Sequence, residues 1–444
     1  MIFTDVPGRT TIGECKIELS SAEVIRTKPY PIPYNLHDKV RDELMNMRDL
    51  GIIESSESPY SSPICVSPKK DSKIRLCLDL RQLNKIVCYD AEPMCDPEAI
   101  FTRIGTSRYF SKLDLTKGYW QIPLSEQSKK FTAFSTPEGL FQFTVLPFGL
   151  VTAPAVFNRL IRRLFNDMEN VETFLDDLLI HTTTWEEHCR VLKEVFRRLN
   201  EANLTAKPSK CEIGEESLEY LGHIVGNGSM KPTEEKTASI LQTKRPTTKK
   251  EVRSFLGLSG YYRRYIPDYA TVAAPLINLT KKNAANQVTW TQDHQTAFDK
   301  IKESLTKKPI LKLVDFGKPF ILQTDASNTG LGAVLSQEYD GVKWPVAYAS
   351  RKLSDAEKNY AVVERECLAV VWATKKFYPY LYGREFVLET DHQPLMYLQK
   401  SKTINGRLMR WALHIQSFRF NIKYVKGSEN VGADYLSRSL YEEK

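Results

Sequence analysis

Residues 171–180 read VETFLDDLLI, an apolar run with two adjacent carboxylates, Asp176 and Asp177, at its centre. An isolated Asp-Asp pair is ordinarily a solvated turn. Here no Gly, Pro or Ser flanks the acids, so the run reads as two β-strands on either side of a tight turn, with both charges at the tip. Like charges side by side in a sheet that should be buried repel unless they share a cation. A third carboxylate, Asp114, stands 62 residues upstream in KLDLTKGYWQI. Hard oxygen donors with little else nearby favour Mg²⁺.

A second acidic constellation lies near the other end of the chain. FILQTDAS, residues 320–327, is a strand pattern ending in Asp325; ERECLAVVW, 364–372, is a helix pattern carrying Glu366; FVLETDHQP, 386–394, is a strand pattern ending in Asp391. Asp434 follows in KGSENVGADYLSR. A strand-end Asp is commonly a turn former and a helical Glu commonly faces solvent. Glu366, however, abuts Leu368, Ala369, Val371 and Trp372, so its turn of helix is otherwise apolar.

The rest of the chain is punctuated plainly. At 444 residues it has room for roughly two to four domains. Residues 1–34 are weakly patterned and end in KPYPIP, which cannot be helical. A helix over residues 35–50 is expected, closed by Gly51. Strand-like runs separated by Pro and Gly fill 60–150. Two amphipathic helices are expected over 154–168 and 186–204, and KKNAANQ at 281–287 reads as a surface linker. Sixty-two Lys and Arg against 54 Asp and Glu give a net charge of +8, which suits a polyanionic partner without requiring one. Eight cysteines without Cys-x-x-Cys or clustered Cys/His spacing indicate neither a zinc site nor a disulfide framework and read as reduced intracellular thiols. No secretory signal or run of about 18 apolar residues occurs, so membrane insertion is not expected.

One stretch is distinctly basic. Lys244, Arg245, Lys249, Lys250, Arg253, Arg263 and Arg264 stand against the single acid Glu251, with Tyr261, Tyr262 and Tyr265 among them. Cations mixed with aromatics can follow a phosphate backbone and pack on sugars or bases; the bland alternative is a solvated helical face.

KLDLTKGYWQIPL, TAFSTPEGLFQFTVLPFGLVTAPAVF and FLDDLLI, in this order and spacing, resemble the palm motifs of reverse transcriptases, those of Gypsy-type long-terminal-repeat retroelements above all. GIIESSESPYSSPICVSPKKDSKIRLCLDLRQLN resembles the fingers of that family, and YLGHIVGNGSMKPTEEK with EVRSFLGLSGYYRRYIPDYA its thumb and connection. The TDAS, EREC, TDHQ and GAD series resembles the ribonuclease H domain of the same elements. The resemblance spans essentially the whole chain and implies α/β and α+β domains: a right-hand polymerase with fingers, ferredoxin-like palm and thumb, then a connection and a mixed α/β ribonuclease H. The expected divisions are a lead-in at 1–34, fingers and palm at 35–225, thumb and connection at 226–310, and ribonuclease H at 311–444.

Residue roles follow from the resemblance. Asp114, Asp176 and Asp177 match the polymerase acids, and Asp325, Glu366, Asp391 and Asp434 the ribonuclease acids, with two Mg²⁺ ions, or Mn²⁺ in their place, at each centre. Arg75 matches the fingers arginine on the incoming deoxynucleoside triphosphate, with Lys69 or Lys70 assisting. Tyr119 matches the gate against a 2′-hydroxyl, and Phe148, in LPFG, lies near the templating pair. Lys249, Lys250, Arg253, Arg263 and Arg264 are expected on the primer–template. Implied partners are RNA and DNA template–primers, RNA:DNA hybrid, a tRNA or other RNA primer and a second copy of the chain; the implied location is intracellular, a cytoplasmic virus-like particle for a natural element. Three departures stand out: Phe174 where the family often has Tyr, Phe148 where retroviral relatives have Gln, and KKDSK without the usual Gly. The seven acids argue against an inert descendant, and the ribonuclease series against polymerases of the telomerase or intron type.

Overall fold

The computed structural model describes residues 2–68, 74–306, 310–391 and 406–425. They fall into two compact units divided at Leu218 and Glu219.

The first unit is organised by a four-stranded antiparallel sheet in the order Val171–Phe174, Asp177–Thr182, Tyr109–Asp114, Glu212–Glu215. Two helices pack on it. One is Ala153–Phe165, with Pro154 in its first turn, where its missing N–H leaves no partner unsatisfied. The other is Trp185–Glu201, started by the Thr184 hydroxyl, which accepts from the Glu187 N–H at 3.3 Å. Its His188, Val191, Leu192, Val195 and Leu199 recur at helical spacing and are all buried. Val195 and Leu199 are fully buried, which contributes about 1.5–3 kcal/mol each. A shorter hairpin, Ile64–Pro68 with Ile74–Leu78, forms its own two-stranded sheet in the fingers.

The N-terminal residues are extended, as expected, but they are part of the core. Phe3 bridges Ala206, Cys15 bridges Leu124, Leu19 bridges Val87 and Arg26 bridges Ser61. Cys15 and Ile17 are buried in the same cluster as the palm helices. Gly8 fits this strap because a β-carbon there would lie 2.2 Å from the Asn203 carbonyl oxygen.

The second unit contains a five-stranded mixed sheet in the order Val342–Lys352, Gly330–Tyr339, Phe320–Ala326, Glu385–Thr390, Arg419–Tyr424. The first three pair antiparallel; Glu385–Thr390 runs parallel to both of its neighbours. Helix Val362–Lys376 covers it with Cys367, Val370, Val371 and Ala373. Ahead of the sheet, Ser229–Pro232 pairs with Leu311–Lys312. Helix Lys249–Tyr261 opens with a capping box in which Thr248 and Glu251 bond each other's backbone.

Candidate active sites

The hairpin read from VETFLDDLLI forms, with one change. Phe174 pairs with Asp177, so the loop is Leu175 and Asp176 alone. Asp176 is at the tip, whereas Asp177 already belongs to the ladder, directly opposite Asp114. Leu175 takes a left-handed conformation, φ 53°, which costs a residue with a β-carbon about 1–2 kcal/mol. The Leu115 N–H donates to the Asp176 carbonyl at 2.9 Å and holds the strained turn against the Asp114 strand.

This arrangement crowds three carboxylates. Burial, then Asp176 and Asp114, push Asp177 up to about 6. Burial and Asp114 also raise Asp176. The Lys210 ammonium donates to Asp114 Oδ2 at 2.8 Å, and the Asp114 carbonyl accepts from the Lys207 N–H at 2.8 Å. Sequence reasoning missed Lys210, which lies 96 residues from its partner; the basic segment AKPSK was the available signal. Gly118 was also missed: a β-carbon there would come within 3.0 Å of Asp176 Cβ and 3.1 Å of Phe157 Cε2.

Tyr119 stands beside this cluster, its ring centroid 5.1 Å from Phe148 and 5.6 Å from Phe157. Its hydroxyl is held un-ionised by burial and by the charge of Asp176. Trp120, by contrast, belongs to the core. Phe148 is exposed, on a loop where Gly149 has φ 99° and its carbonyl accepts from Asn84 Nδ2 at 2.9 Å. Arg75 is exposed on the fingers hairpin, opposite Ser67. Lys69 and Lys70 lie outside the described residues.

In the second unit, Asp325 is near the end of its strand and Asp391 follows directly on the parallel neighbour. The strands are in register through Gln323 and Glu389, so each acid lies two residues past that rung. Glu366 projects from the covering helix, 5% exposed. Burial, then Asp325 and Asp391, push its carboxyl up to about 8, and its Oε2 is enclosed without a hydrogen-bond partner. Asp434 lies outside the described residues. An acid not foreseen, Asp268, is raised to about 6 by burial and by Asp325, against the opposing hydrogen bond from Thr271. Beneath the site Glu389, 1% exposed, accepts from Gln323 Nε2 at 2.9 Å and from Lys343 Nζ at 2.7 Å on each oxygen.

Within the basic stretch, Lys249 is corrected by its own contacts. Lys249 is buried, and its ammonium donates to the carbonyls of Lys282 and Ala284 at 3.3 and 3.1 Å, and to that of Lys281. A buried ammonium held by three backbone carbonyls of the turns at 281–284 does not reach a phosphate. Arg253 donates to the Thr280 carbonyl at 3.1 Å and Arg263 to that of Ser350 at 2.7 Å. Arg264 is half-buried, with its Nε enclosed. Lys250 is exposed.

Among the described residues, no three His, Cys, Asp or Glu side chains converge as a ready-made metal cage. The donor chemistry nevertheless fits a hard divalent cation at both places. At each, burial and neighbouring acids raise a carboxyl, and an ammonium on Asp114 or an orphaned oxygen on Glu366 marks where positive charge is wanted.

An antiparallel sheet with acids at one end, and a mixed sheet with acids at the ends of adjacent parallel strands, coincide with two known domains. Residues 67–225 match the reverse transcriptase (RNA-dependent DNA polymerase) family, and 315–418 the RNase H-like domain found in reverse transcriptase. The Pol polyprotein of transposon 297 from Drosophila melanogaster is 41% identical over 426 residues, covering 94% of this chain and 40% of the polyprotein. The Tf2-3 polyprotein of Schizosaccharomyces pombe is 35% identical, covering 97% of this chain and 33% of its own length. The chain thus spans well under half of these relatives. A foamy viral protease-reverse transcriptase solved with double-stranded DNA matches the fold with a TM-score of 0.87 at 24% identity, covering 96% of this chain and 76% of that one. Another, solved with RNA/DNA hybrid, gives 0.78 at 24% identity, covering 96% and 58%. The chain belongs to the reverse transcriptase–ribonuclease H family of Gypsy-like long-terminal-repeat retrotransposons.

Proposed function

We propose that this chain copies RNA and DNA templates into DNA at Asp114, Asp176 and Asp177, and cuts the RNA strand of hybrids at Asp325, Glu366 and Asp391, with Asp434 as the fourth acid by resemblance. The observation that carries the reading is that each unit gathers carboxylates around a buried one, which burial and the neighbouring acids push up to about 6 at Asp177 and about 8 at Glu366. Bound Mg²⁺ would neutralise phosphate charge, activate the primer hydroxyl or water and stabilise the leaving oxygen. The chain's own groups do the rest. Arg75 meets the triphosphate, the Tyr119 ring fills the volume a 2′-hydroxyl would need, and Lys210, 2.8 Å from Asp114 Oδ2, offsets that acid's charge.

Separability tests the proposal. Asp176→Asn should abolish primer extension and leave hybrid cleavage largely intact; Asp391→Asn should do the reverse. Loss of both activities from either substitution, in protein shown to be folded, defeats the two-centre reading.

A further inference from the structure

Away from the acids, the fingers hairpin brings together two thiols that the spacing of cysteines in the sequence does not link. Cys65 and Cys77 are directly opposite in the ladder of Ile64–Pro68 and Ile74–Leu78, one rung on the same face from Ser67 and Arg75. Alternate residues of a strand share a face, and this face is outward: Cys65, Ser67 and Arg75 are exposed and Cys77 is half-buried, while Ile64, Ile74 and Leu78 are in the core. The phase of the ladder follows from the Asp79 N–H, which donates to the Pro63 carbonyl at 2.9 Å. Two residues inward, Cys65 and Cys77 therefore form a hydrogen-bonded pair, with Cα atoms about 5.5 Å apart, inside the about 4.4–6.8 Å that a disulfide spans. Across a hydrogen-bonded rung the Cβ atoms are about 5.5 Å apart, wider than a disulfide's roughly 3.5–4.5 Å, so oxidation must draw the two strands together locally, which in a two-stranded sheet disturbs no third strand. Both thiols are free.

We infer that Cys65 and Cys77 are a reactive dithiol, a site of reversible oxidation by peroxide on the same face as Arg75. The exposed Cys65 sulfur, as thiolate, attacks one peroxide oxygen. The O–O bond breaks, hydroxide leaves as water with the thiol proton, and Cys65 becomes a sulfenic acid. The Cys77 sulfur then attacks the Cys65 sulfur, and the sulfenic oxygen departs as a second water with the Cys77 proton. Two thiols are oxidised by two electrons while one peroxide is reduced to two waters, and a dithiol reductant reverses the change. The new bond ties the rung beside Arg75 and fixes how that arginine can be presented. This consequence rests on the proposed role of Arg75 at the triphosphate.

The test uses the full chain, treated with hydrogen peroxide, blocked with an alkylating reagent and digested for mass spectrometry. A Cys65–Cys77 linked peptide is expected, lost on reduction with dithiothreitol and absent in Cys65→Ser and Cys77→Ser. Primer extension should then show KM for deoxynucleotide raised at least about threefold, reversibly, while hybrid cleavage by the same protein is unchanged. Higher oxides of Cys65 without a linked peptide overturn the pairing. A linked peptide with unchanged KM overturns its coupling to nucleotide binding, provided Arg75→Ala itself raises KM. An Arg75→Ala protein with unchanged KM shows instead that the Arg75 reading has failed, and leaves the dithiol to stand on the peptide alone.

Discussion

The backbone at Gly118 lies under Asp176 with little room to spare. A methyl group there would meet Asp176 Cβ at 3.0 Å with Phe157 close behind, so the carboxylate must move. Displacing a reacting group by a fraction of an ångström costs roughly 10–100-fold in rate. Gly118→Ala should therefore lower kcat for primer extension by that order while hybrid cleavage keeps its wild-type rate; equal loss of both would mean the substitution only unfolds the protein. Asp176, Asp177 and Glu366 were legible as candidates because charge inside an apolar run has few explanations; Asp325, Asp391 and Asp434 were named through the resemblance, and Asp434 lies outside the described residues. Lys210 and Asp268 were not, because each acquires meaning only from a carboxylate distant in sequence. Lys249 was misread for the same reason: its composition suits a phosphate, and only the fold reveals carbonyls from 281, 282 and 284 around its ammonium.

Periodicity located the elements well. The expected helices at 154–168 and 186–204 are observed at Ala153–Phe165 and Trp185–Glu201, because their stripes are long and each has a start signal. What periodicity cannot give is register. Neither the opposition of Asp114 and Asp177 nor that of Cys65 and Cys77 follows from strand identity; both need the pairing offset. Register also explains the rung beneath the ribonuclease acids, where Glu389 is buried between Gln323 and Lys343. Glu389→Leu strands the Gln323 amide, a loss of about 1–3 kcal/mol. Replacing Gln323 as well, with Met, should recover much of it, since replacing both partners of a buried hydrogen bond by apolar groups of similar shape is nearly neutral. Thermal unfolding of the single and double variants checks this; a double variant as unstable as Glu389→Leu would mean that the stranded amide is not the source of the loss.

For the molecule as a whole, two acid centres in different surroundings give two pH responses. Asp177 and Glu366 are both raised, so the folded chain holds their protons more tightly than the unfolded chain does. Their contribution to stability is present at acid pH and is lost as pH rises through about 6 for Asp177 and about 8 for Glu366. Metal competes with those protons. At limiting Mg²⁺, hybrid cleavage should therefore fall as pH drops through about 8, whereas primer extension should hold until about 6. Saturating Mg²⁺ should move both midpoints downward. Assaying both reactions on one preparation across the range decides it, and coincident midpoints would show that these two acids do not set the profiles.

The segment that precedes the ribonuclease sheet also bears on how the protein can be taken apart. Arg263 donates to the Ser350 carbonyl, the Ala270 N–H donates to the Ser350 hydroxyl at 2.9 Å, and a β-carbon on Gly330 would lie 2.7 Å from Thr271 Oγ1. Tyr269, Ala270 and Val272 are all buried. A fragment begun at residue 315, where the sequence family begins, would strip this cover from the outer strand and leave both polar atoms of Ser350 without their donors. A fragment that keeps this cover has to begin ahead of the strand Ser217–Tyr220, at the boundary between the two units, and not where homology alone would place the cut.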